Sequence, residues 1–424
     1  MALVSRDSLS RREFNAVAVG ASASLASYAS PPSTAKSLAR IPGANDRIHL
    51  GVIGCGGMAT AGHMRPLSAR MKELNIDFVA VCDLFDKRTD RAAELTAAPN
   101  KYRDYRKLLE NRDIDYVLIG TPEHSHAHIT IDAALAGKHV YCEKPMTWSV
   151  EQARRVVDTV NRTGIKMQVG VQGMSDDSYE TANKYVKQGA LGKVVLAQID
   201  YSRNSRNPDY LQTPPDLDLK PGVNFDWKAW LGPAPKRPFD PDRFFHWRRF
   251  WDYSSGIASD LFIHRVTRII KSLSLTFPER GVATGGKFVW PDAIGEVPDT
   301  MNILLDYPEG LTVQLVSSMG NDTRIEHMLR GQKATLSFTT DGFLITPQRV
   351  YKDELQEITH KKTGAENTVL HHQNLQAAIR SNEPLKCDCL LGYYGVVAAQ
   401  MGVESLRKRK YISWDRGKQR MIRA

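Results

Sequence analysis

Lys144 is the first residue in this sequence that asks for a chemical explanation. It lies in the run C-E-K-P at residues 142–145, between Glu143 and Pro145, where the chain leaves an apolar stretch. A lysine there either presents a fixed amine at a strand end or merely pairs with Glu143 in a loop. The proline behind it fixes the backbone direction. A second grouping stands in W-R-R-F-W-D-Y-S-S-G-I-A-S-D-L-F-I-H-R-V-T-R at residues 247–268. Asp260 and His264 are four apart, so on a helix they share one face. A carboxylate so placed can orient the imidazole and raise its basicity; the alternative is a histidine packed into a helical core. A third is H-S-H-A-H at residues 124–128. It leaves a strand and enters a helix, and no further ligand cluster accompanies it, so no metal site is expected. One of its histidines, Glu123, or both are expected to line a ligand site instead.

The elements that must position these groups read as alternating strands and helices. R-I-H-L-G-V-I-G-C-G-G-M-A at residues 47–59 is a buried strand followed by glycines. Gly54, Gly56 and Ala59 fill the G-x-G-x-x-G/A dinucleotide fingerprint, with Gly57 and Met58 in the same loop. The first glycine permits the tight turn, the second lets a pyrophosphate approach the backbone, and the small third residue lets helix pack on strand. A second strand, residues 77–82, ends at Asp83, where an acidic residue would hold the ribose diol of NAD and repel the 2′-phosphate of NADP. Arg88 nearby softens that preference, and a helix N-cap is the competing reading of Asp83. Residues 102–109 read as a short helix, 114–119 as a strand, 129–136 as a helix stopped by Gly137, and 139–142 as a strand. Short links between such units predict a doubly wound parallel α/β sheet. Gly54, Asp83, Thr121-Pro122 and Glu143-Lys144-Pro145 all fall at strand C-terminal ends, the edge where such sheets bind ligands.

In order and spacing, G-V-I-G-C-G-G-M-A, Cys82-Asp83, T-P-E-H-S-H at 121–126 and E-K-P at 143–145 resemble the Gfo/Idh/MocA oxidoreductases, named for glucose–fructose oxidoreductase and inositol dehydrogenase. The resemblance runs from about residue 46 to the C-terminus. It implies a Rossmann domain over residues 46–168 and, over 169–424, an α/β domain with a large open, mainly antiparallel sheet. It implies NAD, or NADP, held by Gly54, Gly56, Gly57, Met58, Ala59, Asp83, Thr121, Pro122, His126, Glu143 and Lys144. Lys144 would bond the reacting oxygen, and a cis peptide is common before the family's proline. The segment 247–268 resembles the family's G-G-x-x-x-D-x-G-x-H, which implies His264 as acid/base and Asp260 as its orienter or a substrate ligand. Arg248 and Tyr253 would contact substrate with them. Ser254-Ser255 and Thr267 depart from the family pattern. The implied activity is hydride transfer between nicotinamide and a carbinol or carbonyl carbon of a sugar, polyol or derivative. A redox-neutral NAD-dependent glycosidase or lyase of the α-N-acetylgalactosaminidase type, and a non-catalytic sugar-binding protein, are the alternatives. A homo-oligomer, dimer or tetramer, is implied by analogy.

The rest of the chain adds bounds. Residues 300–307 and 311–317 read as a hairpin around Pro308-Glu309-Gly310, and 333–338 with 342–345 as another pair. His371 and His372 fall on a late helix expected to pack back toward the site. The stretch 201–241 reads as a long irregular loop, with Trp227, Trp230, Trp247 and Trp251 around it. These either face a sugar or pack the loop onto its own domain, and Arg203, Arg206 and Arg248 suit hydroxyls or a carboxylate. Hydrophobic content of 42% and charged content of 25% are ordinary for a soluble globular protein. The net charge of +10 is mostly a C-terminal feature: residues 405–424 alone carry +7. The remainder is close to balanced, so no nucleic-acid-binding surface is expected. Five cysteines show no disulfide framework, and no apolar run reaches the roughly 18 residues of a membrane helix. Residues 10–15, S-R-R-E-F-N, precede an Ala/Ser-rich run and resemble a twin-arginine leader, ending after Ala29 or Ala35. Export to the periplasm is the corresponding expectation, with a cytoplasmic location if the leader is not functional.

Overall fold

The computed structural model describes residues 46–207 and 215–423; the leader lies outside the described residues. Six strands form the first sheet: β1 (Ile48–Ile53), β2 (Ile76–Cys82), β3 (Asn100–Tyr102), β4 (Tyr116–Ile119), β5 (His139–Glu143) and β6 (Met167–Gly170). Their order is β3-β2-β1-β4-β5-β6, and every pair is parallel. β4 is buried throughout and β1 nearly so, as expected for strands covered by helices on both faces. The helix Val150–Thr163 covers one face because Val150, Ala153, Val156, Val157 and Val160 recur at helical spacing and are buried. Ser149 caps it by accepting from the Gln152 N–H, and Gly164, at φ 70°, ends it. The switch point lies between β1 and β4, so the loops after β1, β2, β4 and β5 open onto one crevice.

Ten strands form the second sheet: β7 (Val194–Asp200), β8 (Arg280–Gly286), β9 (Thr300–Tyr307), β10 (Leu311–Ser318), β11 (Met328–Gly331), β12 (Ala334–Thr339), β13 (Gly342–Pro347), β14 (Ile358–Lys361), β15 (Ile412–Asp415) and β16 (Arg420–Arg423). Its order is β14-β13-β12-β11-β7-β10-β9-β8-β15-β16. Its neighbouring strands are antiparallel except β7 with β10. The two predicted hairpins are present, as β9 (Thr300–Tyr307) with β10 (Leu311–Ser318) and β12 (Ala334–Thr339) with β13 (Gly342–Pro347). β10 alternates strictly, with Leu311, Val313, Leu315 and Ser317 buried on the face that the helix Ile263–Leu273 packs against. The basic tail ends in the edge hairpin β15 (Ile412–Asp415) with β16, where Arg416, Lys418 and Arg420 are exposed. All five cysteines are buried free thiols.

The structure departs from the sequence pattern at four places. A boundary at 168/169 cuts through β6, which pairs with β5 through Gly170, so the first sheet takes in residues that pattern reading gave to the second domain. The helix Thr368–Ser381, late in sequence, packs on the first sheet through Val369 and Leu375. β3 was not foreseen, being three polar or half-buried residues with no alternation to detect. The stretch 201–241 holds the helix Trp227–Leu231, capped by Asp226, inside an aromatic cluster of Phe85, Phe225, Trp227, Trp230, Phe244 and Tyr253. Trp227 and Trp230 stack at 4.8 Å.

Candidate active site

One cavity of about 1110 Å³ runs along the C-terminal edge of the first sheet. Gly54, Gly56, Gly57, Met58, Asp83, Thr121, Pro122, His126, Glu143, Lys144, Arg248, Asp260 and His264 all line it. Two predicted residues do not. Ala59 is buried beneath the loop, where its Cβ lies 2.9 Å from the place a Cβ on Gly120 would occupy, so its smallness serves packing. Tyr253 is fully buried against Trp230 and His124, in the aromatic cluster and away from the cavity wall. Glu123 is likewise buried rather than lining.

The glycine end fits a dinucleotide. Gly54 has φ 86°, and a Cβ there would lie 2.7 Å from Thr121. A Cβ on Gly57 would meet nothing within 4 Å, so the backbone faces open space. Asp83 accepts from the Cys55 N–H at 2.7 Å through Oδ2 and from the Phe85 N–H at 2.9 Å through Oδ1. It does not cap the helix Asp86–Thr96, whose N-cap is Phe85. A carboxylate has about four acceptor sites, so a ribose diol can still bond to it.

The other end holds the ionisable groups. Glu143 ends β5, and its carboxylate accepts from Gln172 Nε2 at 2.9 Å, His63 Nε2 at 2.9 Å and the Lys144 N–H at 3.2 Å. Burial raises its pKa, but the hydrogen bond from His63 and the nearby Lys144 charge bring it below the usual carboxylate value. Gly170 makes room for it, since a Cβ there would lie 2.7 Å from Glu143 Oε1. The Lys144–Pro145 peptide is cis. His126 bridges the carbonyls of Pro145 (2.7 Å) and Thr121 (2.8 Å), tying two strand-end loops together.

Lys144 does not pair with Glu143. Its Nζ donates to Asp260 Oδ1 at 2.6 Å and to the Asp260 carbonyl at 2.8 Å, with the lysine side chain only 13% exposed. Arg248 Nε donates to the same Oδ1 at 3.2 Å. Asp260 therefore orients Lys144 and Arg248, not His264. The reason is local: Ala258–Phe262 is a π-helical turn leading into Ile263–Leu273, so the four-residue spacing does not stack as on an α-helix. His264 lines the cavity with its Nδ1 buried and unbonded among the described residues. Burial, then the charges of Lys144, Arg268, Arg265 and Arg203, hold its pKa well below the ordinary histidine value, so the ring is neutral. Behind Asp260, Ser254 Oγ donates to Glu123 at 2.8 Å; burial and the Asp260 charge raise the Glu123 pKa to about 7. Pattern reading missed Gln172 and His63. Gln172 follows the end of β6, where the strand-end rule could have found it; nothing local marks His63.

Two family models match the chain: GFO_IDH_MocA, the oxidoreductase family's NAD-binding Rossmann fold, over residues 48–171, and its C-terminal alpha/beta domain over residues 181–424. Inositol 2-dehydrogenase from Salmonella typhimurium is 29% identical over 162 residues, 38% of this chain and 47% of that protein. Levoglucosan dehydrogenase from Pseudarthrobacter phenanthrenivorans is 29% identical over 217 residues, 49% of this chain and 46% of that protein. The chain thus spans about half the length of the curated relatives it matches. Among solved structures, levoglucosan dehydrogenase in complex with NADH and levoglucosan superposes with a TM-score of 0.66 at 19% identity, covering 87% of this chain and 99% of that one. The WlbA dehydrogenase from Bordetella pertussis, in complex with NADH and UDP-GlcNAcA, gives a TM-score of 0.64 at 18% identity over 87% and 99%. These likenesses establish a shared fold.

Proposed function

This chain belongs to the Gfo/Idh/MocA oxidoreductase family, and from that premise we propose that it is an NAD-dependent dehydrogenase acting on a carbinol of a sugar, polyol or derivative. The observation that carries the reading is the pairing of Lys144 with Asp260 at 2.6 Å beside a neutral His264, on the wall of the cavity that also holds the glycine loop and Asp83. The names of the relatives support the substrate class. Bound along Gly54–Met58, Asp83 and Thr121, NAD supplies the hydride acceptor.

The chain's own residues handle the oxygen and its proton. An ammonium has three donors, and Lys144 spends two on Asp260, leaving one for the substrate oxygen. There it stabilises the negative charge that develops as the hydroxyl loses its proton. His264 is the acceptor for that proton, because its ring is unprotonated and stands on the same cavity wall as Lys144. Arg248, held by Asp260, and Trp230 and Trp247 on the same wall suit a hydroxylated ring. The test is NADH formation with a panel of sugars and polyols, with loss of turnover in Lys144→Ala supporting the assignment.

The S-R-R-E-F motif favours a second reading, in which an exported enzyme keeps its nucleotide and oxidises, eliminates and re-reduces a glycoside. Release of a leaving group without net NADH would select it. Export itself rests on that motif alone, and detection of the cleaved chain in a periplasmic fraction tests it. A homo-oligomer is supported by the outer face of β9 and β10, where Asn302, Leu304, Gln314 and Val316 are only partly covered; light scattering gives the state.

A further inference from the structure

A chain of buried side chains runs from the cavity wall into the first sheet. Glu143 Oε1 contacts His63 Nε2 at 2.9 Å, His63 Nδ1 contacts His372 Nε2 at 2.9 Å, and His372 Nδ1 contacts the Tyr116 hydroxyl at 3.1 Å. Tyr116, His63 and His372 are fully buried, and Glu143 is 4% exposed. Tyr141 stacks on His372 at 3.9 Å, holding its ring plane. His63 follows the glycine loop, Tyr116 opens β4, and His372 lies on the late helix Thr368–Ser381, so three distant parts of the sequence meet here.

The donors can be assigned from the ionised end. An ionised Glu143 only accepts, so His63 Nε2 carries the hydrogen. The Tyr116 O–H donates to His372 Nδ1, so His372 carries its hydrogen on Nε2 and donates it to His63 Nδ1. Every bond points toward Glu143, and each polarises the next. Burial holds His372 neutral, as this pattern requires.

We propose that His63, His372 and Tyr116 are positioning residues that keep Glu143 ionised and fixed on the cavity wall, so that the site holds the positively charged oxidised nicotinamide in preference to the reduced form. This rests on the reading that the cavity takes NAD. In this sheet order a bound dinucleotide would run from the Asp83 side toward the β4 and β5 side, where Glu143 stands. The two cofactor forms differ by one charge at the ring, and a buried carboxylate distinguishes them.

The test is the ratio of Kd for NAD⁺ to Kd for NADH, measured by calorimetry on the full chain. Glu143→Gln should raise that ratio about tenfold. His63→Asn and Tyr116→Phe should raise it in the same direction, Tyr116→Phe by at least about threefold, although it touches no ligand and removes one oxygen. A ratio unchanged in Tyr116→Phe and in any folded His63→Asn would overturn the proposal, whatever happens to melting temperature. If His63→Asn fails to fold, Tyr116→Phe decides alone. Wild-type protein that binds neither form would instead remove the dinucleotide reading itself.

Discussion

Glu123→Gln isolates the most strained charge near the site. Glu123 is 1% exposed, and its pKa is pushed from 4.5 to about 7 by burial first and by Asp260 second. Below pH 4.5 the carboxyl is protonated whether the chain is folded or not. As pH rises, the unfolded chain gives up the proton first while the folded chain keeps it. Stability is therefore lost between about pH 4.5 and about pH 7, and the loss is complete above that range. A gap of about 2.5 units at ~1.4 kcal/mol each gives roughly 3 kcal/mol. Glutamine has no such titration but keeps an oxygen for the Ser254 hydroxyl. Its fixed cost is the same at every pH, so it cancels in a difference between two pH values. The stability of Glu123→Gln relative to wild type should rise by about 3 kcal/mol from pH 4.5 to pH 8, read by urea unfolding at a series of pH values. A relative stability constant to within about 1 kcal/mol over that range would refute the reasoning.

The other predictions concern the cavity. Lys144→Ala should lower kcat by about 10²–10³-fold while NAD still binds, as steady-state kinetics and calorimetry would show. Asp260→Asn leaves Lys144 and Arg248 without their carboxylate in a buried site, and should cost roughly 3–5 kcal/mol in denaturant unfolding. Gly57→Ala should melt within about 2 °C of wild type, because a Cβ there meets nothing, yet weaken NAD binding at least about fivefold by filling space the pyrophosphate needs.

The cofactor half of the site was legible because its signals are local. Gly54, Gly56 and Asp83 each stand at a strand end that hydrophobic runs predict, and parallel sheets gather strand ends on one edge. Lys144 and His264 were found the same way, on motifs. Their partners were not: whether Asp260 orients Lys144 or His264 depends on a π-helical turn, and four-residue spacing reads the same whichever helix forms. For Tyr253 the family resemblance implied a substrate contact, but the aromatic cluster draws it inward. The contact of His63 with His372 spans 309 positions. Only the packing of the late helix on the first sheet makes it, and sequence spacing carries no trace of that.

Every role proposed for the cavity between Asp83 and Glu143 requires a nicotinamide dinucleotide bound there. The direct measurement is to denature the purified chain, identify any nucleotide released, and titrate the protein that releases none with NAD⁺. About one NAD(H) per chain is expected, either carried through purification or bound on titration and lost in a Gly54→Val variant. A folded wild-type chain that releases no NAD(H) and takes up none at millimolar concentration would contradict those roles.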